Sequence, residues 1–156
     1  SQLTEVDAEP SDPMPAMEHS LLLTDLDDRA IEELVATVSD PARTPLMLVQ
    51  IRGLGGAFAD DAEGNGAVRP VTEPFQLFAL GIPMVPELEG PIEASFAAID
   101  AVVGRLGNGR RMPNFVGHHQ DANDGYEPAT LARLQDIKRR RDPRGVIRSN
   151  KPVLGV

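Results

Sequence analysis

The sequence contains no cysteine and no tryptophan, and its aromatic residues amount to one Tyr and five Phe among 156 residues. Without cysteine there is no disulfide, no thiol nucleophile and no cysteine metal site. With so few aromatics, the core must be built mainly from Leu, Ile, Val, Met and Ala. No apolar run approaches the ~18 residues of a membrane-spanning helix. The N-terminus also lacks the charged-then-apolar pattern of a secretory signal. These absences read as a soluble, cytoplasmic protein without a membrane partner.

Basic residues are scarce as well, but only in one part of the chain. Residues 1–104 carry 4 basic and 19 acidic groups, a balance of −15, whereas residues 105–156 carry 11 basic and 5 acidic groups, a balance of +6. Such asymmetry marks an anion or nucleic-acid surface, or two halves of one fold that attract each other, or a basic half that faces something beyond the segment. What the chain has in plenty is Gly and Pro, 14 of each, which predicts short elements and much irregular structure. The length suits one domain and suffices for a core without staples.

Residues 1–18 are polar, acidic and Pro-rich, and read as a flexible lead-in to a domain over 19–156. HSLLLTDL (19–26) holds a short apolar run that suits either a strand or a helix entry. Ile31, Leu34, Val35 and Val38 then recur at helical spacing and predict one apolar helix face. Asp25, Asp27 and Asp28 stand near its start, where negative charge suits the free N–H groups. PLMLVQIRGLGGAF (45–58) predicts a strand with Met47, Val49 and Ile51 on one side and Leu48, Gln50 and Arg52 on the other. DDAEGNGAVRP (60–70) is a polar connection. PFQLFALGIPMV (74–85) is a second strand, with Pro83 favouring an edge or an end.

GPIEASFAAIDAVVGRLGNG (90–109) is the clearest helix. Ile92, Phe96, Ile99, Val103 and Leu106 form its stripe, Pro91 suits its first turn and Gly107 its exit. RMPNFVG (111–117) reads as a short strand and HHQDANDGYEP as a loop. A last helix begins near Pro128 and turns Leu131, Leu134 and Ile137 inward. The series predicts an α+β fold, with helices on one face of an antiparallel sheet and ferredoxin-like split βαβ elements in the middle portion.

The chemistry-bearing stretches are each ordinary by themselves. Lys138, Arg139, Arg140 and Arg141 close a helix, where cations are favoured. They have no aromatic partners for stacking bases, so no nucleic acid is expected. Adjacent His residues on a strand diverge, so only one of His118 and His119 could join Asp121 easily; no third metal ligand is indicated, and a solvated loop is the better reading. Gly53-Leu54-Gly55-Gly56 matches neither phosphate-loop pattern, but its glycines would let another backbone or a flat ligand come close. Tyr126 is a general-acid candidate or a packing residue, and packing is the simpler account.

Three stretches taken in order resemble one family. IRGLGGAFADDAEGNGAVRP is similar to the Gly-rich strand, acidic loop and Arg of berberine-bridge-type FAD-linked oxidases. RMPNFVGHHQDANDGYEP resembles their Tyr-x-Asn strand and following loop. YEPATLARLQDIKRRRDPRGVIRSNKPV resembles their ending. The resemblance spans roughly residues 20–153 and implies the C-terminal, substrate-domain portion of a longer enzyme. Such an enzyme oxidises a small organic substrate by hydride transfer to flavin. It also implies that FAD is held by a separate binding domain, of the same or another chain, so that this segment alone is inactive. By the same resemblance Asn114, Gly55, Gly56 and Asn150 would lie near the cofactor. Met112 occupies the family Tyr position; a thioether cannot exchange a proton, so that acid–base role is in doubt here. The competing reading is a stand-alone small-molecule-binding or dimerisation module without catalysis, which would form a homodimer through an exposed sheet face.

Overall fold

The computed structural model describes residues 13–40, 44–61, 66–117 and 120–154. Its sheet has three strands: β1 (Met17–Leu23), β2 (Leu46–Gly53) and β3 (Phe75–Gly81). The order is β1-β3-β2, and β3 is antiparallel to both neighbours. β1 and β2 therefore run in the same direction, joined through helix α1 (Asp28–Val38). Helix α2 (Glu89–Val103) follows β3, and two further helices, α3 (Ala122–Gly125) and α4 (Pro128–Arg141), come late in the chain. This is the α+β arrangement expected. A ferredoxin-like series would place a fourth strand after α2. Here a 3-10 turn, Gly104–Leu106, is followed by a single bridge between Leu23 and Gly107. The run 111–117 forms no strand either, because Pro113 opens a 3-10 turn at Pro113–Phe115.

β1 starts at Met17, two residues inside the stretch read as lead-in, and Glu18 already pairs with Leu80. The apolar run at 19–26 resolves as strand because its alternate residues have two faces to fill. Leu21 and Leu23 join Leu77, Ala79, Ala30, Leu34, Ile99, Val103 and Leu106 in the main core, between the sheet and helices α1 and α2. The Pro83 signal marks an end rather than an edge: β3 is the central strand and stops at Gly81. Gly81 is required there, since a Cβ would stand 2.6 Å from Ile92 Cγ2.

Two predicted faces shift by a position. In α1, Asp27 caps the first turn by accepting from Ala30 N–H. The buried residues are Ala30 and Leu34, whereas Ile31 is 42% and Val35 54% exposed. Ala30 and Leu34 thus face the core, and Ile31 and Val35 turn towards solvent. In β2, the register breaks between Leu46 and Leu48. A bulge adds one residue to the strand and throws it outward. Met47 is consequently 67% exposed, and Leu46 takes its expected place beside Val49 and Ile51 against the core.

The second face of the sheet is not bare. After the Leu23–Gly107 bridge, Leu22 N–H donates to the Arg110 carbonyl, and the chain then crosses this face. The Ser20 hydroxyl donates to the Phe115 carbonyl at 2.7 Å. α3 packs beneath the crossing segment, so close that a Cβ on Gly125 would meet Pro113 Cα at 3.1 Å. Asp121 caps α3 through a capping box with Asp124, a D-x-x-D pattern inside the stretch read as loop. His118 and His119 lie outside the described residues.

Candidate functional site

The period-2 geometry of the strands assigns the second face residue by residue. Along β2 it carries Leu48, Gln50 and Arg52; along β3 it carries Gln76, Phe78 and Leu80. In register, Arg52 lies across from Gln76, which lies across from Leu22; Gln50 lies across from Phe78, which lies across from Ser20. The segment 110–117 covers the β1 and β3 part. Ser20, Leu22, Gln76 and Phe78 are buried, while Gln50 and Arg52 remain half-buried at the margin.

Arg52 is held by two rings and one amide. Its Cζ stands 4.8 Å from the centroid of Phe115 and 5.9 Å from that of Phe78. The two rings meet edge to face at 5.3 Å. The Arg52 Nε–H donates to Gln50 Oε1 at 2.8 Å. Aromatic faces attract a guanidinium by roughly 0.5–2 kcal/mol per contact. Among the described residues no carboxylate pairs with it. Next to it, Gln76 is 1% exposed and its Nε2 donates to nothing. A buried polar group without a partner costs about 1–3 kcal/mol. Glu73 Oε2, Arg110 Nε and Arg111 Nε are also buried without a partner; Gln76 is distinguished by its place directly across the strand pair from Arg52.

The residues singled out by resemblance do not meet in one cluster. Asn114 is exposed in the 3-10 turn, one residue before Phe115. Met112 is half-buried and its carbonyl accepts from Phe115 N–H. Gly55 and Gly56 follow β2, three and four residues after Arg52, with φ of 138° and 52°. A Cβ at Gly53, Gly55 or Gly56 would meet nothing within 4 Å. Gly53 pairs with Phe75 in the sheet, and the space beside Gly55 and Gly56 is open. The positive φ at Gly55 and Gly56 is a backbone conformation that glycine adopts readily. Asn150 is exposed in the tail. Its neighbour Lys151 donates to the carbonyls of Gly117 and Gln120, which ties the tail to the crossing segment.

Sequence reading missed Arg52, Gln50, Gln76, Phe78 and Phe115 as a group. The signal was present in the alternation, since polar Gln50 and Arg52 interleave with Val49 and Ile51. What no periodicity reveals is that Phe115, far along the chain, closes over them.

Two other clefts share no lining residue with this face. One, about 560 Å³, is lined by Arg69, Arg110, Glu127 and Arg133 among others. Its charges are largely spent internally. Arg110 Nη1 lies 2.9 Å from buried Glu73 and 3.7 Å from Glu127, which Arg69 also approaches at 3.9 Å. The other, about 750 Å³, lies between the end of α4 and the tail. Here the basic run has a structural role. Lys138 pairs with Asp142 at 2.5 Å and also donates to the Ile147 carbonyl, and Arg140 pairs with Asp136. The hydrogen bond from Lys138, joined by the Ile147 and Val146 N–H groups, lowers the Asp142 carboxyl to about 2 against the opposing effect of burial.

Tyr126 is half-buried just after α3. Among the described residues no group of three His, Asp or Glu could hold a metal ion. No described helix is long and apolar enough to cross a membrane.

No family model and no curated protein matches this sequence. Solved structures do match it in fold. A variant of Physcomitrella patens BBE-like 1 superposes with a TM-score of 0.74 at 13% identity, covering 98% of this chain and 34% of that one. The wild-type form gives 0.70 at 13% identity with the same coverage. The chain thus spans about a third of the length of the solved structures it matches. Its fold, along nearly its whole length, is that of one portion of a BBE-like protein.

Proposed function

We propose that this chain is the substrate-side portion of an FAD-dependent oxidoreductase that oxidises a small organic molecule by hydride transfer to flavin. The observation that carries the reading is the fold match, which takes in 98% of this chain but only 34% of a BBE-like protein. The open margin of the second face supports it. Arg52 on its two rings, Gln50 and the unspent amide of Gln76 make a polar, aromatic wall of the sort that faces a bound organic molecule. The flavin would carry the redox chemistry when bound; the residues here would bind and orient the substrate and exclude water. The cofactor's phosphates would be held by a separate FAD-binding domain. With Met112 at the family Tyr position, proton transfer falls to a group other than residue 112.

A stand-alone binding or dimerisation module is the second reading. It is favoured by the apolar residues left exposed on α1 and β2: Ile31, Val35, Met47 and Leu48.

The deciding experiment is to determine the size of the native polypeptide and its flavin content. A chain roughly three times as long that copurifies with flavin absorbance is the expected result. A native chain of this length, colourless and dimeric, would replace the oxidase by the binding module.

A further inference from the structure

We infer that the margin of the second face is a carboxylate-binding site, and that the molecule bound there carries a carboxylate read by Arg52. The inference deepens the proposed function by naming a substrate class, and it rests on that reading only for its link to oxidation.

Consider what each side chain leaves unspent. Gln50 takes the Nε–H of Arg52 at 2.8 Å, and the guanidinium carbon lies over the rings of Phe115 and Phe78 at 4.8 Å and 5.9 Å. The two terminal nitrogens remain, and no described acidic group neutralises the charge. The second face of the three strands contains one carboxylate, Glu18, at the opposite corner. Glu18 lies on β1, two register rows from Arg52 and separated from β2 by the whole of β3. The rest of the face is neutral. A planar guanidinium held at Nε and against two rings presents its fork in a restricted orientation, which suits the two oxygens of a carboxylate. Lysine, a rotating point charge, would not need this bracing.

Gln76 adds an independent sign. Its amide is buried directly across the strand pair from Arg52, with a donor that no group in the described chain accepts. Side chains directly opposite in a sheet have Cβ atoms ~4.5–5.5 Å apart. Arg52 and Gln76 form such a directly opposed pair. An arginine braced only for packing would explain the rings and Gln50. It would leave the amide without a reason.

The 156-residue chain can be titrated with benzoate and, separately, with benzamide, which keeps the ring and loses the charge. The readout is the NMR signals of the Arg52 Nε–H and the Gln76 side-chain amide. Benzoate is expected to move both in a saturable way, and benzamide at least ~10-fold more weakly, the factor typical of losing a charged hydrogen-bond pair. Arg52→Gln should abolish the response with the backbone spectrum still dispersed. Arg52→Lys, which keeps the charge without the fork, should weaken it severalfold and covers the case in which the glutamine variant fails to fold. Equal responses to the two probes, no saturable response, or an unchanged response in the lysine variant would overturn the site. The titration needs no flavin. Benzoate binding here with a flavin-free parent would keep the carboxylate site and remove the oxidase. A flavin-containing parent without benzoate binding would do the reverse.

Discussion

The two faces of one sheet, built from the same three strands, serve opposite ends. On the helix side Leu21, Leu23, Leu77 and Ala79 meet Leu34, Ile99 and Val103 in a core with few polar atoms. The polar exception is accounted for: His19 lies 2.9 Å from Asp100 and stacks on Phe96 at 5.2 Å. On the other face Gln76 is just as deeply buried yet keeps an unpaired donor, and Arg52 keeps a charge without a counterion. One face is finished within the chain. The other is left incomplete at its β2 margin, and incompleteness that costs stability is where a ligand or partner is expected.

That contrast can be broken most sharply on the finished side. Leu77→Ala, at a fully buried position of the central strand, should destabilise the fold by about 2–5 kcal/mol, read by urea unfolding. A loss under ~1 kcal/mol would mean that the helix-side core is not close-packed.

Gly81→Ala should cost about 1–3 kcal/mol through overpacking, since its Cβ would fall 2.6 Å from Ile92 Cγ2. Thermal unfolding of the variant checks the tightness of the contact between β3 and α2.

Asp27→Ala removes the acceptor of the Ala30 N–H and should cost about 0.5–2 kcal/mol. Asp27→Asn should restore most of this, because an amide oxygen also accepts.

On the unfinished side the sign should change. Gln76→Leu deletes a buried donor that has no partner, so stability should hold or rise by up to ~1 kcal/mol, while the benzoate response weakens. Destabilisation by more than ~1 kcal/mol would show that this amide is satisfied in solution and that the two faces are alike.

The smallest effect is confined to the tail. Asp142 has its carboxyl lowered from 3.8 to about 2 by Lys138 and the N–H groups of Ile147 and Val146. Because the folded value is the lower one, the stabilisation is fully present above the unfolded value of 3.8 and is lost as pH falls through about 2. Amide exchange at Val146 and Ile147 should therefore stay slow at mild acidity and quicken only near the lower value. Asp142→Asn should show fast exchange at neutral pH.

Much of this was legible in the chain. The α1 start was written in Asp27, the α2 stripe in Ile92, Ile99 and Val103, and the α4 start in Pro128, because capping and helical spacing are local. The ending of α4 was legible too: basic residues at its C-terminus, then Asp142. The α+β class followed from the order of elements. The errors fell where a neighbour distant in sequence intervened. Alternation puts Met47 on the side of Val49 and Ile51, because it cannot foresee a bulge. Ile31 and Val35 were placed inward because spacing defines a stripe but not which edge of it meets α2. The strand at 111–117 was expected from its apolar residues, and Pro113 with the crossing over β1 made it a turn.

The sequence by itself determined where the helices start, what the core is made of, and that Gln50 and Arg52 share a side of their strand. These depend on neighbours a few residues apart. Only the tertiary structure decided that β3 enters between β1 and β2 and that Phe115 closes on Arg52 from 63 positions away. It alone decided that Gln76 is buried without a partner. Burial and hydrogen-bond satisfaction are properties of the packed whole, and no local pattern encodes which donor will be left over.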